Sequence, residues 1–115
     1  MERHYEENVK LGDIKNFLFQ RSTFDQGKFE ELIASAKEGI IEPILVRKHD
    51  SGYQGIAGYM RFIASREAKN ETIPAIVYDA LDDHDAYAMC AIENFQRQDM
   101  NDLDTAVLLS FLVSS

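Results

Sequence analysis

An acid, an amide and an arginine lie within five positions near the C-terminal end of the chain, as Glu93, Asn94 and Arg97. A carboxylate can bind a metal ion, an amide can hold a polar ligand group, and a guanidinium can pair with a phosphate. Arg97 is also the only cation after Lys69. A lone arginine in an acidic stretch is typical of a partner-binding residue, although a cation near the last carbonyls of a helix fits the same pattern.

The negative charge of the chain is concentrated in its last third. The 115 residues carry a net charge of −8 at pH 7. Residues 1–70 balance their charges, whereas residues 71–115 contain one arginine and these acids: Glu71, Asp79, Asp82, Asp83, Asp85, Glu93, Asp99, Asp102 and Asp104. Because nucleic-acid binders usually present a basic face, we expect any main DNA contact to lie outside this chain. The candidates for a weaker contact are Lys10, Lys15, Arg21, Arg47 and Lys48.

Composition and cysteine content fit one soluble globular domain. Apolar residues make up 45% and charged residues 28% of the chain, and its length suffices to bury a core. The one cysteine, Cys90, excludes an internal disulfide and fits a reducing cytoplasm. No apolar run is long enough to span a bilayer. The three histidines, His4, His49 and His84, are too widely spaced to indicate a zinc site.

The predicted order of elements is strand, helix, hairpin, helix, strand, helix, helix. Strands are predicted over 9–14, 44–46, 53–57 and 73–78, and helices over 25–38, 58–69 and from Asp82 or Asp83 to about Phe95. Asp25 is the expected N-cap of the first helix and Gly39 its C-terminal stop. The order predicts an α+β fold in which a small mixed β-sheet is flanked by helices.

Helical spacing predicts which side chains of the later helices are buried. Phe62 and Ile63 are the expected core positions of the second helix. The expected stripe of the third helix is Ala88, Ala91, Ile92 and Phe95.

A final helix is predicted to begin at Asn101, and it is apolar almost all round over 107–113. Such a helix must be buried on all sides. We therefore expect another helix, a following domain or a second copy of the chain to cover its outer face. Leu109 and Val113 lie off the stripe that can face this domain, so we expect them to drive self-association.

These motifs together resemble the N-terminal domain of ParB partition proteins, within the ParB/sulfiredoxin superfamily. The resemblance spans about residues 9–110 and is carried by Arg21, Phe24-Asp25, residues 31–35, 39–40, 43–46, 58–61 and 93–97, and Asn101. It implies a single domain over 1–115, with a core of about 9–100. Residues 101–115 would start a connecting helix, and the chain would be cut before a DNA-binding domain.

The resemblance also implies a nucleotide site, because many ParB proteins bind CTP with magnesium. The residues implied are Gly58, Arg61, Glu93, Asn94, Gln96, Arg97 and Arg21, with Glu93 on the metal side. Gly58 follows a predicted strand and precedes a helix, where backbone N–H groups can meet phosphate oxygens. The first of the two motifs that surround the nucleotide in the family, which we call the first box, corresponds to residues 58–61. It departs from the family pattern, since Tyr59 and Met60 stand where an acid and an arginine are usual.

Two classes of function follow from the resemblance. The first is an assembly domain of a DNA-segregation protein in the cytoplasm, on the nucleoid or a plasmid. It would act through self-association and contact with a ParA-type ATPase or a centromere-binding adaptor. The second is a CTP- or ATP-dependent enzyme, either a CTPase or a small-molecule kinase. Sulfiredoxin chemistry would need a cysteine in the loop at Gly58, whereas Cys90 lies in a different helix.

Overall fold

The structure is a computed structural model that describes residues 2–20 and 25–95. Its strands are β1 (Arg3–Lys10), β2 (Ile14–Phe17), β3 (Ile44–His49), β4 (Gly52–Ala57) and β5 (Thr72–Tyr78). Its helices are α1 (Gln26–Lys37), α2 (Tyr59–Glu67) and α3 (Asp83–Phe95), and a 3-10 turn (Leu11–Asp13) separates β1 from β2. In the described part of the chain no helix has both the length and the apolar character needed to cross a bilayer.

The five strands form one mixed sheet in the order β1-β5-β3-β4-β2. β1 and β5 are antiparallel, as are β3 and β4, whereas β3 runs parallel to β5 and β2 parallel to β4. The predicted α+β class with a mixed sheet is therefore confirmed.

One face of the sheet, which we call the two-helix face, is covered by α2, and α1 packs on α2. Successive strand residues point to opposite faces, and every second side chain of β3 and β5 lies on this one. The buried members of its core are Val9, Ile14, Phe17, Ile44, Val46, Ile73, Ala75 and Val77. Aromatic rings join them, since Phe17 lies 5.4 Å from the ring of Tyr59 and 5.2 Å from that of Phe62.

The opposite face, which we call the one-helix face, is covered by α3 over β4. Its buried apolar cluster consists of Ile56, Tyr78, Leu81, Ala86 and Cys90. The fully buried side chains that α3 contributes are small, and the half-buried Met89 packs against the same cluster.

The helix boundaries follow from local capping. The Asp25 side chain accepts a hydrogen bond from the Lys28 N–H at 3.0 Å, and Gly39 adopts a left-handed φ of 78° after α1. Asp82 accepts from the Asp85 N–H at 2.8 Å and so caps α3. These three predicted boundary residues are confirmed.

The predicted strand over 9–14 is wrong. The 3-10 turn interrupts the chain there, and the Leu11 N–H donates to the Glu71 carbonyl at 3.0 Å. The first strand instead covers Arg3–Lys10, most of whose side chains are exposed. An edge strand with many charged residues lacks the apolar alternation by which strands are recognised, and such charges protect an edge from unwanted pairing.

The predicted core positions of α2 and α3 are partly wrong. Phe62 packs against the core as predicted, although it and Ile63 are only half-buried, and the fully buried residues of α2 are Ala64 and Ser65. On α3, Ala91 is buried as predicted, but Ile92 is 54% exposed. The burial of Ala86 and Cys90 instead shows that α3 turns its small side chains inward.

Some of the predicted functional and capping residues lie outside the part of the chain that the structure describes. They are Arg21, Gln96, Arg97, Asn101, Leu109 and Val113.

Candidate functional site

Strand β4 leads directly into α2 through Gly58. This glycine has φ 98° and ψ 27°, in the left-handed region that favours glycine. A Cβ at this position would lie 2.6 Å from Ile44 Cγ2, so close packing on β3 also requires glycine. Gly58 brings no side-chain cap, and the first backbone bond of α2 runs from the Phe62 N–H to the Gly58 carbonyl at 3.0 Å. The positive end of the helix dipole is therefore not closed by a side chain of its N-cap residue.

Arg61 lies in the first turn of α2 and is half-buried. Its Nη1 donates a hydrogen bond to the carbonyl oxygen of Pro43, in the loop before β3. This bond directs the guanidinium toward the start of β3. The arginine is therefore a partly ordered group next to the glycine cap rather than a fully solvated helix cation.

Glu93 lies in the last turn of α3 and is half-buried. It follows Ala86 and Cys90 at helical spacing, so it continues the face that α3 turns toward the sheet. The described residues provide its carboxylate with no hydrogen-bond or ion-pair partner. Asn94 belongs to the same helical turn by its backbone, whereas its side chain lies outside the described part.

Apolar packing places the middle of α3 beside the part of β4 that leads to Gly58. The helix starts beside Gln54, near the beginning of β4, where Arg47 contacts both Gln54 and Asp83. Ala86 and Cys90 of α3 pack in one cluster with Ile56, which lies two residues before Gly58 on β4. β2 runs parallel to β4 and ends at the same side.

Sequence reasoning missed a buried polar network around Arg47. This side chain is 4% exposed. Its Nε and Nη2 donate to Gln54 Oε1 at 2.8 and 2.6 Å, its Nη1 donates to the Leu81 carbonyl at 2.9 Å, and its Nη2 donates to Asp83 Oδ1 at 2.8 Å. The Gln54 amide in turn donates to Asn16 Oδ1 at 3.3 Å. One guanidinium thus joins β3, β4 and the start of α3.

The prediction that Arg47 could serve as a surface cation for DNA is therefore wrong. The alternation of side chains along β3 could have indicated which face Arg47 occupies. Ile44 and Val46 point to the two-helix face, so Arg47 and Leu45 point to the one-helix face. It could not show that α3 would cover that face and supply an acid.

A second polar cluster lies at the opposite end of the sheet from Gly58. His4 lies 3.0 Å from Asp79 and 3.1 Å from Glu6, and the Lys48 ammonium lies 3.0 Å from Asp79. Hydrogen bonding to Asp79 raises the pKa of His4, and bonds from Lys48 and His4 lower the pKa of the Asp79 carboxyl. In the described ranges no three acidic, histidine or cysteine side chains come together as a set of metal ligands.

Comparison with known families identifies the class of this domain. The family model described as the ParB N-terminal domain matches residues 2–95. The chain is 42% identical over 87 residues to the chromosome-partitioning protein ParB of Myxococcus xanthus, which covers 75% of this chain and 29% of that protein. The chain therefore spans about a third of the length of the curated relatives it matches.

Solved structures with the same fold include two complexes of C-terminally truncated ParB from Caulobacter crescentus. The complex with the centromeric parS site has a TM-score of 0.72 at 31% identity and covers 94% of this chain and 57% of that one. The complex with CTP-gamma-S has a TM-score of 0.64 at 30% identity and covers 98% and 63%. Sulfiredoxin from Arabidopsis thaliana has a TM-score of 0.57 at 27% identity and covers 67% and 86%. The predicted ParB/sulfiredoxin-like fold is confirmed.

Proposed function

Because the chain belongs to the ParB N-terminal domain family, we propose that it is the assembly domain of a DNA-segregation protein whose Gly58 end binds CTP with magnesium. The observation that carries this proposal is the glycine-capped start of α2, which follows β4 directly. Its cap, Gly58, lies two residues beyond Ile56, against which Ala86 and Cys90 of α3 pack. The Caulobacter relative whose structure holds CTP-gamma-S covers nearly the whole of this chain, which supports a nucleotide as the ligand.

The described residues fit the phosphates of such a ligand. The positive end of α2 attracts an anion. The Arg61 guanidinium lies in the first turn of the same helix, and its five N–H donors allow it to bind a phosphate in addition to Pro43. Arg97 and Arg21 would add positive charge, and Asn94 and Gln96 would supply polar contacts.

Glu93 fits the role of a magnesium ligand. Magnesium commonly keeps several waters and takes its remaining oxygens from one or two carboxylates and from substrate phosphates. A single half-buried carboxylate without a partner in the described part of the chain meets this need. Magnesium would neutralise part of the phosphate charge that the arginines do not balance.

The departure in the first box changes how the phosphate charge is balanced. Tyr59 occupies a position where the family has an acid, and its ring packs against Phe17 at 5.4 Å. Its side chain is therefore part of the core of the two-helix face. We expect binding to depend strongly on Arg61, Arg97 and the metal, because the family's further arginines are missing.

The function of the bound nucleotide would be to control assembly. We propose self-association through the segment that contains Leu109 and Val113. We also propose contact with a ParA-type ATPase or a centromere-binding adaptor. DNA would be bound mainly by regions of the full protein beyond this chain, in agreement with the net charge of −8. The protein would then act in the cytoplasm, on a nucleoid or a plasmid.

The sulfiredoxin fold does not imply sulfiredoxin chemistry in this chain. Its one cysteine, Cys90, is 1% exposed in α3 and packs in the cluster with Ile56. A buried thiol of this kind behaves as a small apolar residue. The alternative function is that of an enzyme that hydrolyses CTP in the same nucleotide site.

Calorimetric titration with CTP and ATP, with and without magnesium, tests the proposal. Glu93→Gln, Arg61→Met and Arg97→Ala should each weaken CTP binding by about tenfold or more, since hydrogen bonds to charged groups contribute about 1.5–3 kcal/mol. Glu67→Gln and Arg66→Met are matched controls near the other end of α2 and should bind as the unchanged protein does. Absence of CTP binding at millimolar concentration would show that the motif is structural only.

A further inference from the structure

We propose that the ion pair between Arg47 and Asp83 is a positioning latch for α3. It fixes the first turn of the helix on the sheet, and it thereby sets where the last turn, with Glu93, lies relative to Gly58. The part of this inference that concerns nucleotide rests on the proposed function. The part that concerns the position of α3 stands on the geometry alone.

The first reason is the asymmetry of the ion pair. The side chain of Arg47 is 5% exposed, whereas that of Asp83 is 77% exposed. A buried guanidinium has lost its water and needs a partner, because an uncompensated buried charge is strongly destabilising. Within the described residues Asp83 is the only carboxylate paired with Arg47. The other acceptors, on Gln54 and Leu81, are neutral.

The second reason is the distribution of the four bonds. Two go to Gln54 on β4, and the other two go to Leu81 and Asp83, which flank the start of α3. A planar guanidinium presents its donors in a fixed fork. Because both sides of the fork are used, the helix start is fixed in direction as well as in distance from the sheet.

The third reason is the small apolar contact made by α3. Its fully buried residues are Ala86, Cys90 and Ala91, and its larger residue Ile92 is 54% exposed. Each buried CH₂ group contributes about 0.8 kcal/mol, so these small side chains add less to the docking of α3 than larger ones would, and the larger Met89 is only half-buried against the same cluster. The polar contact at Arg47 therefore has a large share in deciding how α3 lies.

A change at the first turn is amplified along the helix. Asp83 and Glu93 are ten residues apart, which corresponds to about 15 Å of helix. A tilt of only about 5° at the first turn then moves Glu93 by about 1 Å. Arg47 and Asp83 are thus positioning residues for the site at Gly58, although neither would touch the ligand.

Cys90 provides a direct probe of this latch. It is the only cysteine, it is 1% exposed, and it lies on the face of α3 that contacts the sheet. A thiol reagent can reach it only when α3 opens locally or the protein unfolds. The rate of labelling at low denaturant therefore measures the docking of α3 in the absence of any ligand.

The experiment compares Asp83→Asn with Asp85→Asn. Both remove one acid from the first turn of α3, so both lose the same favourable interaction with the helix dipole. Asp85 contacts His84 rather than Arg47. We expect Asp83→Asn to label at least about tenfold faster than Asp85→Asn, since hydrogen bonds between charged groups contribute more than neutral ones. Because Arg47 is buried, Asp83→Asn should also lower the unfolding transition more than Asp85→Asn does, so the labelling rates are compared under conditions in which both variants are folded.

The outcomes separate the latch from the nucleotide site. Equal labelling rates in the two variants would overturn the latch, whatever the protein binds.

If the unchanged protein binds CTP, the nucleotide should slow labelling of Cys90, and Asp83→Asn should lower CTP affinity while Asp85→Asn does not. Fast labelling with unchanged CTP affinity would overturn the link between latch and site. If the unchanged protein binds no CTP, the proposed function fails, and the labelling rates alone still decide the latch. Arg47→Met is a second variant for the same comparison.

Discussion

The two faces of the sheet are held to their helices by different kinds of interaction. The two-helix face packs large apolar side chains, such as Ile44 and Val46 at 0% exposure, against aromatic rings from β2 and α2. On the one-helix face, the small residues Ala86 and Cys90 of α3 pack with Ile56, Tyr78 and Leu81, and the buried Arg47 adds a polar contact. Packing of large groups is non-directional and strong, whereas a hydrogen-bonded charge is directional.

This difference indicates which helix is suited to change position. Moving α2 would break a close-packed core and leave cavities, which are costly. Moving α3 would disturb the cluster around Ile56, and it would also require the buried Arg47 to exchange its partner on the helix. The motif residues Glu93 and Asn94 lie on the helix with the weaker apolar contact. We therefore expect α1 and α2 to form the rigid part of the domain and α3 the adjustable part.

The largest expected effect comes from Gly58→Ala, which adds a methyl group where α2 packs against β3 on the two-helix face. The new methyl group would meet Ile44 at 2.6 Å, and the residue would keep a φ of 98°. Left-handed backbone costs an ordinary residue about 1–2 kcal/mol, and overpacking costs about 1–3 kcal/mol more. We expect the free energy of unfolding, measured by urea denaturation, to fall by about 2–5 kcal/mol.

Gly39→Ala is the matched control for that prediction. Gly39 also has a positive φ, of 78°, but a Cβ there would meet nothing within 4 Å. Its substitution should therefore cost only the backbone part, about 1–2 kcal/mol. Equal losses for the two variants would contradict close packing between α2 and β3.

A smaller effect of opposite sign is expected for Ser65→Ala. Ser65 is fully buried in α2, and its hydroxyl is the one buried side-chain polar atom in the described residues that has no hydrogen-bond partner. Removing it relieves an unmet polar group and improves helix propensity. We expect the free energy of unfolding of Ser65→Ala, measured by urea denaturation, to rise by about 1 kcal/mol.

Ser35→Ala provides the comparison for Ser65. It makes the same change at a half-buried position in α1, so it should give only the gain in helix propensity, about 0.5 kcal/mol. Destabilisation by Ser65→Ala would mean that the hydroxyl makes a contact on which the two-helix face depends.

The smallest effect concerns pH and the exposed cluster of His4, Asp79 and Lys48. The pKa of Asp79 is lowered, so its contribution to stability is present above 3.8 and is lost as the pH falls through its lowered folded-state value. The pKa of His4 is raised, so its contribution is full below 6.5 and is lost as the pH rises through its raised value. The difference in unfolding free energy between the unchanged protein and Asp79→Asn should therefore be largest between about pH 4 and 6.5.

Denaturation curves at several pH values check this expectation. The difference should shrink below pH 4, and it should shrink partly above pH 7, where Lys48 still pairs with Asp79. Asp50→Asn, whose carboxylate lies 3.7 Å from His49, is the control and should give a flatter profile. A difference that grows steadily above pH 7 would contradict the assigned pairing.

Much of the fold could be predicted from local signals in the sequence. Asp25, Gly39 and Asp82 mark helix ends because capping involves residues only a few positions apart. The hairpin between β3 and β4 and the helix after Gly58 follow from turn residues and apolar runs in the same way. The pattern of Gly58, Arg61, Glu93 and Arg97 indicated the ParB family, which the family match then confirmed.

Other features depended on contacts between distant parts of the chain. The first strand was missed because Arg3–Lys10 is an edge strand whose charged residues carry no apolar alternation. The buried face of α3 was misassigned because helical spacing allows several faces, and only the position of β4 selects Ala86 and Cys90 over Ile92. The partners of Arg47 lie 7 to 36 positions away in sequence.

The sequence alone therefore determined the family and the order of most elements, and it predicted a set of nucleotide-binding residues, since these signals lie in short stretches of chain. The tertiary structure decided which charge is buried and which side chains of α3 face the sheet. Burial and ion pairing depend on groups that folding brings together from separate strands and helices. No local pattern around Arg47 could have shown that Asp83 would be its partner.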